Sequence, residues 1–213
     1  MQPVSTRSHL GAGCLLTRPD VFSSRAEMLG RGEIGHVQVL VIPPGSPARF
    51  EEAIQVFEPY RGMIRIHAPH HLHHINPCAP ELYTPDTSGS VQEYYDTMMS
   101  MTAEAADRTG SSIIVLHAGR YRRGTREEAI SRFHDFLDRY PDRRYILETL
   151  PDLTPGPRFL GITPKELHLL GGERIRGYCA DFPHLWCTSV RHLCPYPAIL
   201  ASLQTLPVVF SHI

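Results

Sequence analysis

Short apolar runs alternate with amphipathic segments along most of the chain. The apolar runs predict strands at residues 9–17, 36–42, 62–67, 111–117, 144–148, 177–181 and 207–212. The amphipathic segments predict helices at residues 21–29, 47–57, 90–108, 126–139, 164–170 and 197–206. Strands that alternate with helices at short intervals require parallel pairing, right-handed crossovers and helices that cover the sheet. The expected fold class is therefore α/β.

Five successive predicted strands, the third to the seventh, end in residues that commonly bind metal ions. These residues are His67, His117, Glu148, Asp181 and His212. In a closed barrel the C-terminal ends of the strands converge on one mouth, whereas the edge strands of an open doubly wound sheet lie too far apart to share a site. Asp and Glu are also rarely buried without a partner. We therefore expect a short TIM (β/α) barrel with about seven recognisable strands.

The apolar run Gly177–Asp181 shows this ending most clearly, because His184 follows its terminal carboxylate three positions later. Asp and His together are good ligands for zinc or manganese. A strand-end Asp can also cap the next helical turn, and a lone His can lie on the surface, so this stretch alone leaves both interpretations open. The 13 histidines of the chain, many of them at the ends of apolar runs, favour metal or proton chemistry.

The length of 213 residues predicts a single domain covering residues 1–213. A full barrel usually has about 250 residues and eight strands. We therefore expect either a chain truncated at the C-terminus, or a gap closed by another chain or by a rearranged N-terminus. The oligomeric state is not predicted.

The net charge of −1 provides no global field that would attract nucleic acid or an anionic membrane. A polyanionic partner would have to be bound by a local patch, and the best candidate is the arginine-rich loop 120–126 that follows His117. A solvated loop at the start of a helix is an equally good interpretation of these charges.

The cysteines and the apolar segments predict the compartment. Five cysteines without a CxxC pair argue against a disulfide framework or a structural zinc site. The N-terminus lacks the apolar core of a signal peptide, and no stretch approaches the roughly 20 apolar residues of a membrane span. We therefore expect a cytoplasmic protein without a membrane partner.

Several motifs together resemble the endonuclease IV branch of the xylose isomerase-like TIM barrels, a family of apurinic/apyrimidinic endonucleases. The motifs are Ile66-His67-Ala68-Pro69, Ile75-Asn76, Leu116-His117-Ala118-Gly119, Ile146-Leu147-Glu148, Cys179-Ala180-Asp181-Phe182-Pro183-His184 and Phe210-Ser211-His212. They follow the order of the family and cover nearly the whole chain. Each motif is short, so the resemblance depends on their order and on their positions at strand ends.

The resemblance implies a zinc cluster at the barrel mouth and cleavage of DNA on the 5′ side of an abasic site, as in base-excision repair. Carried over position by position, His67 and His117 would bind one zinc, and Glu148, the implied catalytic residue, would bridge it to a second. Asp181, His184 and His212 would complete the second site. The third zinc of the family needs an Asp, a His and a Glu from later segments, for which this sequence has no counterparts.

The substrate implied by the resemblance is damaged double-stranded DNA. A histidine, His70, stands where the family commonly has a tyrosine, and the role of the loop His70–His74 stays open between base stacking, metal binding and neither. The residues that would contact the substrate are His70, Asn76, Arg120, Tyr121, Arg122 and Arg123.

Two other functions stay open. A sugar isomerase or epimerase of the same superfamily would hold one manganese or magnesium ion with a Glu, an Asp, a His and a second Glu, and would act on a phosphorylated or free sugar. Glu148, Asp181 and His212 suit that scheme equally well, but it does not need His67 and His117, and the second Glu, expected at the last strand, is absent. The other alternative is a non-catalytic member that retains the metal ligands.

Overall fold

A computed structural model of the chain describes residues 10–15, 18–42, 47–82, 90–153, 155 and 158–213. The chain divides into two compact units. The first comprises Met1–Pro69 and Thr97–Ile114, and the second comprises His70–Asp96 and Val115–Ile213. That residues 1–213 form a single domain stays a prediction.

The first unit contains three parallel strands in the order β1-β2-β3. Their bounds are Gly11–Leu15, His36–Leu40 and Ile64–His67, and the helices α1 (Pro19–Gly30) and α2 (Pro47–Phe57) follow β1 and β2 in the chain. Buried and half-buried residues alternate along β2. Phe22 of α1 and Phe57 of α2 are buried and meet edge to face, with ring centroids 5.9 Å apart. This unit therefore has its own apolar core.

The helix α3 (Val91–Thr109) and the strand β4 (Ile114–Leu116) each include residues of both units. The second unit continues with the strands β5 (Arg120–Tyr121), β6 (Tyr145–Glu148), β7 (Arg158–Phe159), β8 (Gly177–Asp181) and β9 (Val208–His212). Its helices are α4 (Arg126–Arg139), α5 (Pro164–Gly171), α6 (Phe182–His192) and α7 (Tyr196–Leu203).

Two of the strands in the second unit are buried along their whole length. Every residue of β6 and of β8 is buried, which agrees with their uninterrupted apolar sequences and with parallel pairing under helices. The strands β6, β8 and β9 run parallel, and their register pairs Glu148 with Cys179 and Asp181 with His212. Parallel pairing in this register places two carboxylates and an imidazole at neighbouring C-terminal strand ends.

All seven predicted strands are present, and the α/β class is confirmed. The bounds of β8, α2 and α4 match the predictions residue for residue, whereas the last predicted helix covers residues 196–203 rather than 197–206. The helix α6 and the two-residue strands β5 and β7 were not predicted. The loop predicted at residues 120–126 therefore begins with β5, which pairs antiparallel with β7.

No helix in the described ranges of the chain has the length and apolar character that crossing a membrane requires.

Candidate metal centre

The carboxylate of Glu148 lies between imidazoles of the second unit. Glu148 ends β6 and is only 2% exposed. Its Oε2 lies 3.2 Å from His117 Nε2, whereas its Oε1 lies 3.4 Å from His212 Nδ1 and 3.5 Å from His184 Nδ1. Each oxygen of this buried carboxylate therefore meets different histidines, which is the arrangement that a carboxylate bridging two ions requires.

Asp181, at the end of β8, lies on the Oε1 side of Glu148. Its Oδ2 lies 3.3 Å from His212 Nδ1, and its Oδ1 lies 3.5 Å from His184 Nδ1. Ligand atoms of Glu148, Asp181 and His184 lie within 4.8 Å of one another. Small side-chain rotations would bring such atoms to the 2.0–2.2 Å distances from an ion that are typical of zinc.

The start of α6 fixes His184 beside Asp181. Asp181 is the N-cap of this helix, and its Oδ1 accepts a hydrogen bond of 2.7 Å from the backbone N–H of His184. The Nδ1 of His184 also donates to the carbonyl oxygen of Thr149 at 2.8 Å, and this hydrogen bond fixes the ring beside the two carboxylates. The capping role and the ligand role of Asp181, which the sequence presented as alternatives, are thus compatible.

His117 follows β4 and is buried, and the loop after it is held by Asn76. Asn76 is fully buried; its Oδ1 accepts from the Arg120 N–H at 2.7 Å, and its Nδ2 donates to the carbonyl oxygens of Arg120 and Ala79. Gly119 has φ +100°, and a Cβ there would clash with Asn76 Oδ1. Because only glycine fits where the chain passes Asn76, Gly119 determines the path of the following segment, residues 120–126, which we call the arginine loop.

The predicted substrate residues differ in exposure. Arg122 and Arg123 are exposed and Arg120 is partly exposed, whereas Tyr121 is buried beneath the Arg158 guanidinium, 4.6 Å from its ring centroid. Because the amide of Asn76 is engaged by the backbone, it contributes by holding the loop. Direct contacts of these residues with a substrate stay predictions.

His70 and His67 are two further histidines that the sequence assigned to the site. His70 stacks on His117, with ring centroids 4.8 Å apart and an angle of 23° between the rings. His67 lies in the first unit, where it ends β3, is buried, and donates from Nδ1 to the carbonyl oxygen of Ala68 at 2.7 Å. Its assignment as a zinc ligand stays a prediction.

One member of the cluster was missed in the sequence. Cys179 of β8 has its thiol within 4.8 Å of ligand atoms of Glu148 and His212. Burial, followed by the charges of Glu148 and Asp181, raises the pKa of this thiol, so it stays protonated and is a poor ligand at neutral pH. Its position two residues before Asp181, on the same strand face, was the available signal.

The donor set suits a borderline divalent ion. It consists of imidazole nitrogens and carboxylate oxygens, which zinc and manganese both accept. His117, Glu148, Asp181, His184 and His212 are the residues that would hold such ions. The structure therefore supports a divalent metal cofactor.

The metal-free protein is expected to lose stability as the pH rises from about 6.5 to about 9. Burial lowers the pKa of His212, but its hydrogen bonds to Asp181 and Glu148, together with their charges, raise it to about 9. A folded-state pKa above the unfolded value means that this stabilisation is fully present below pH 6.5 and disappears as the pH passes 9.

The test is to measure the melting temperatures of the unchanged protein and of His212→Gln, both with chelator, at several pH values across this range. The melting temperature of the unchanged protein should fall relative to that of His212→Gln, which lacks the titrating imidazole. Parallel pH profiles of the two proteins would contradict the assignment.

No protein-family model matches the sequence, and no curated protein matches it. Solved structures do match. A D-tagatose 3-epimerase-like protein gives a TM-score of 0.62 at 16% identity, covering 96% of this chain and 76% of that one. Endonuclease IV from Thermus thermophilus gives 0.59 at 19% identity, covering 95% and 74%. A xylose isomerase domain protein from Planctomyces limnophilus gives 0.56 at 15% identity, covering 98% and 74%.

These identities are low, so the matches establish the fold and leave the function open. The predicted TIM-barrel class is confirmed. Because an endonuclease and an epimerase-like protein both match, the fold does not choose between phosphodiester and sugar chemistry.

Proposed function

Given that the chain has the fold of the xylose isomerase-like TIM barrels, we propose that it is a metal-dependent phosphodiesterase that cleaves DNA on the 5′ side of abasic sites. The observation that carries the proposal is the position of the Glu148 carboxylate, with His117 at one oxygen and two other histidines at the other. A carboxylate that faces separate ligand sets on its two oxygens suits two ions. A one-ion sugar isomerase has no need of His117.

In this proposal Glu148 is the catalytic residue and would be shared by two zinc ions. His117 would be a ligand of the first ion, and Asp181, His184 and His212 would be ligands of the second. Two divalent ions at such a site activate water and stabilise the charges on the attacking and leaving oxygens of an in-line phosphoryl displacement. The hydrogen bond to the Thr149 carbonyl keeps the His184 ring in its orientation.

The arginine loop supplies the contacts to the DNA backbone. Arg122 and Arg123 are exposed, and their loop is joined to the segment after His117 through Asn76 and Gly119. Arginines bind phosphate oxygens and position a duplex without reading its sequence. Since the chain has a net charge of only −1, the arginine loop would provide most of the electrostatic attraction for the DNA phosphates. His70 takes the place of the aromatic residue that the family commonly has there.

A sugar isomerase or epimerase is the second candidate, supported by a different feature of the same cluster. His212 Nδ1 lies 3.4 Å from Glu148 Oε1 and 3.3 Å from Asp181 Oδ2, so these three side chains could hold one manganese or magnesium ion by themselves. A D-tagatose 3-epimerase-like protein is among the structural matches. The substrate would then be a phosphorylated or free sugar.

A nicking assay tests the proposed function directly. The purified full chain should cut a duplex with one abasic site on its 5′ side, and the resulting 3′-hydroxyl should support extension by a polymerase. Chelator should stop the cut, added zinc should restore it, and an undamaged duplex is the control. The proposal is wrong if saturating zinc or manganese supports no cut at the abasic site.

The reducing cytoplasm proposed from the sequence rests on five cysteines without a CxxC pair. All five cysteines are free, and Cys14, Cys78 and Cys179 are buried. The compartment itself stays a proposal.

A further inference from the structure

The histidine turn, defined as His70–His74, is a compact segment of the second unit that the proposed phosphodiesterase does not use for metal binding. His71–His73 form one turn of 3₁₀ helix, and His74 closes it with φ +61°. The backbone N–H of His73 donates to the His70 carbonyl at 2.7 Å, and the Tyr94 hydroxyl donates to the His73 carbonyl at 2.8 Å. The turn is therefore held by its own backbone hydrogen bond and by a hydrogen bond from Tyr94 of α3.

The turn places imidazoles against His117. The His70 ring stacks on His117 with centroids 4.8 Å apart, and the His71 ring lies 5.3 Å from His70. His70, His71 and His117 can each offer one ring nitrogen such that all three atoms lie within 4.8 Å of one another. The ring of Phe159, from β7, covers His71 edge-on at 5.3 Å.

Three imidazoles at this spacing form a ligand set that favours particular metal ions. In a tetrahedral zinc site with bonds of about 2.0–2.1 Å, neighbouring ligand nitrogens are about 3.3 Å apart. Binding therefore requires the His70 ring to turn out of its stack on His117 while the nitrogens approach one another. Imidazole nitrogens favour zinc, copper and nickel, whereas magnesium and manganese prefer carboxylate, carbonyl and water oxygens. The Glu148 cluster, with two carboxylates, accepts manganese as well as zinc.

We infer that His70, His71 and His117 form a separate binding site for a transition-metal ion of the zinc, copper or nickel type. This inference concerns metal binding alone and does not depend on the proposed cleavage of DNA. Because His117 also faces Glu148 Oε2 at 3.2 Å, the two sites share one side chain. Occupation of the three-histidine site therefore engages a residue that the Glu148 centre uses.

Zinc content per chain is compared between Glu148→Gln, in which the carboxylate centre is weakened, and the same variant without His71. After dialysis against low micromolar zinc, elemental analysis should find about one ion that Glu148→Gln retains and that the double variant Glu148→Gln/His71→Ala loses. The same variants dialysed against manganese should retain none. His168→Ala, which changes an exposed histidine of α5, should behave like its parent.

The inference is overturned if Glu148→Gln, shown to be folded by circular dichroism, binds no zinc, or if the double variant binds as much as the single one. If Glu148→Gln does not fold, Glu148→Ala, which also removes the carboxylate that faces His117, is the alternative parent. Zinc content should fall by one ion between Glu148→Ala and Glu148→Ala/His71→Ala, and equal content in these two variants would overturn the inference. The nicking assay has no part in these readings, so an inactive protein with a His71-dependent ion would contradict only the proposed function.

Discussion

Glu148→Gln is expected to remove the ions of the Glu148 centre and to lower nicking at an abasic site by more than about 100-fold. Loss of residues that only orient metal ligands already costs about 10–100-fold in affinity or activity, and Glu148 would be a bridging ligand. The change keeps the size of the side chain, so it removes the charge with little loss of packing. Manganese content is the appropriate measurement, because manganese binds weakly to an all-imidazole site.

A matched variant separates this effect from a general loss of charge. Glu173→Gln changes an exposed carboxylate in the second unit and should leave manganese content and nicking unchanged. Both variants should be compared at a temperature well below their unfolding transitions. Full manganese content in folded Glu148→Gln would show that Glu148 is not the centre of the site.

The parts of the site that could be predicted are those that the strands dictate. An apolar run that is buried on both faces carries polar side chains only at its ends, so the carboxylates of Glu148 and Asp181, although buried themselves, marked the ends of β6 and β8. Parallel strands bring their C-terminal ends to one edge, which placed His212 beside Asp181. These inferences needed only periodicity and polarity, which local sequence contains.

The helix α6 was missed because it starts with no intervening loop. Asp181 is both the last residue of β8 and the N-cap of α6, so the usual polar connection between strand and helix is absent. Pro183 in the first turn is a typical start signal, but the segment after it is short and mixed in polarity. The consequence for function is that His184 lies on a helix start rather than in a loop.

The directions of side chains and the pairing of strands that are far apart in the chain could not be predicted from the sequence, for a different reason. The strands β5 and β7 have two residues each, and their pairing joins Tyr121 to Arg158, which are far apart in the chain. Such short strands carry no periodic signal. Burial of Asn76, and the stacking of His70 on His117, likewise depend on tertiary contacts that no local pattern encodes.

His117→Ala is expected to distinguish the two proposed enzymes. In the phosphodiesterase the loss of His117 removes the ligand on the Oε2 side of Glu148, so manganese content should fall by one ion per chain and nicking should fall by at least about 100-fold. Glu148 Oε1, Asp181, His184 and His212 would keep the second ion. In the isomerase the single ion uses that same set, so manganese content and any activity on a sugar should be unaffected.

His212→Ala provides the reciprocal variant. His212 Nδ1 lies within 3.4 Å of both carboxylates, so its loss should weaken the ion on the Oε1 side in either enzyme. The phosphodiesterase then predicts that each variant loses one ion and that the double variant loses both. The isomerase predicts that only His212→Ala changes manganese content, because His117 faces the oxygen of Glu148 that a single ion at Asp181 does not use. Equal manganese content in His117→Ala and the unchanged protein would therefore exclude the two-ion centre and favour sugar chemistry at the remaining site.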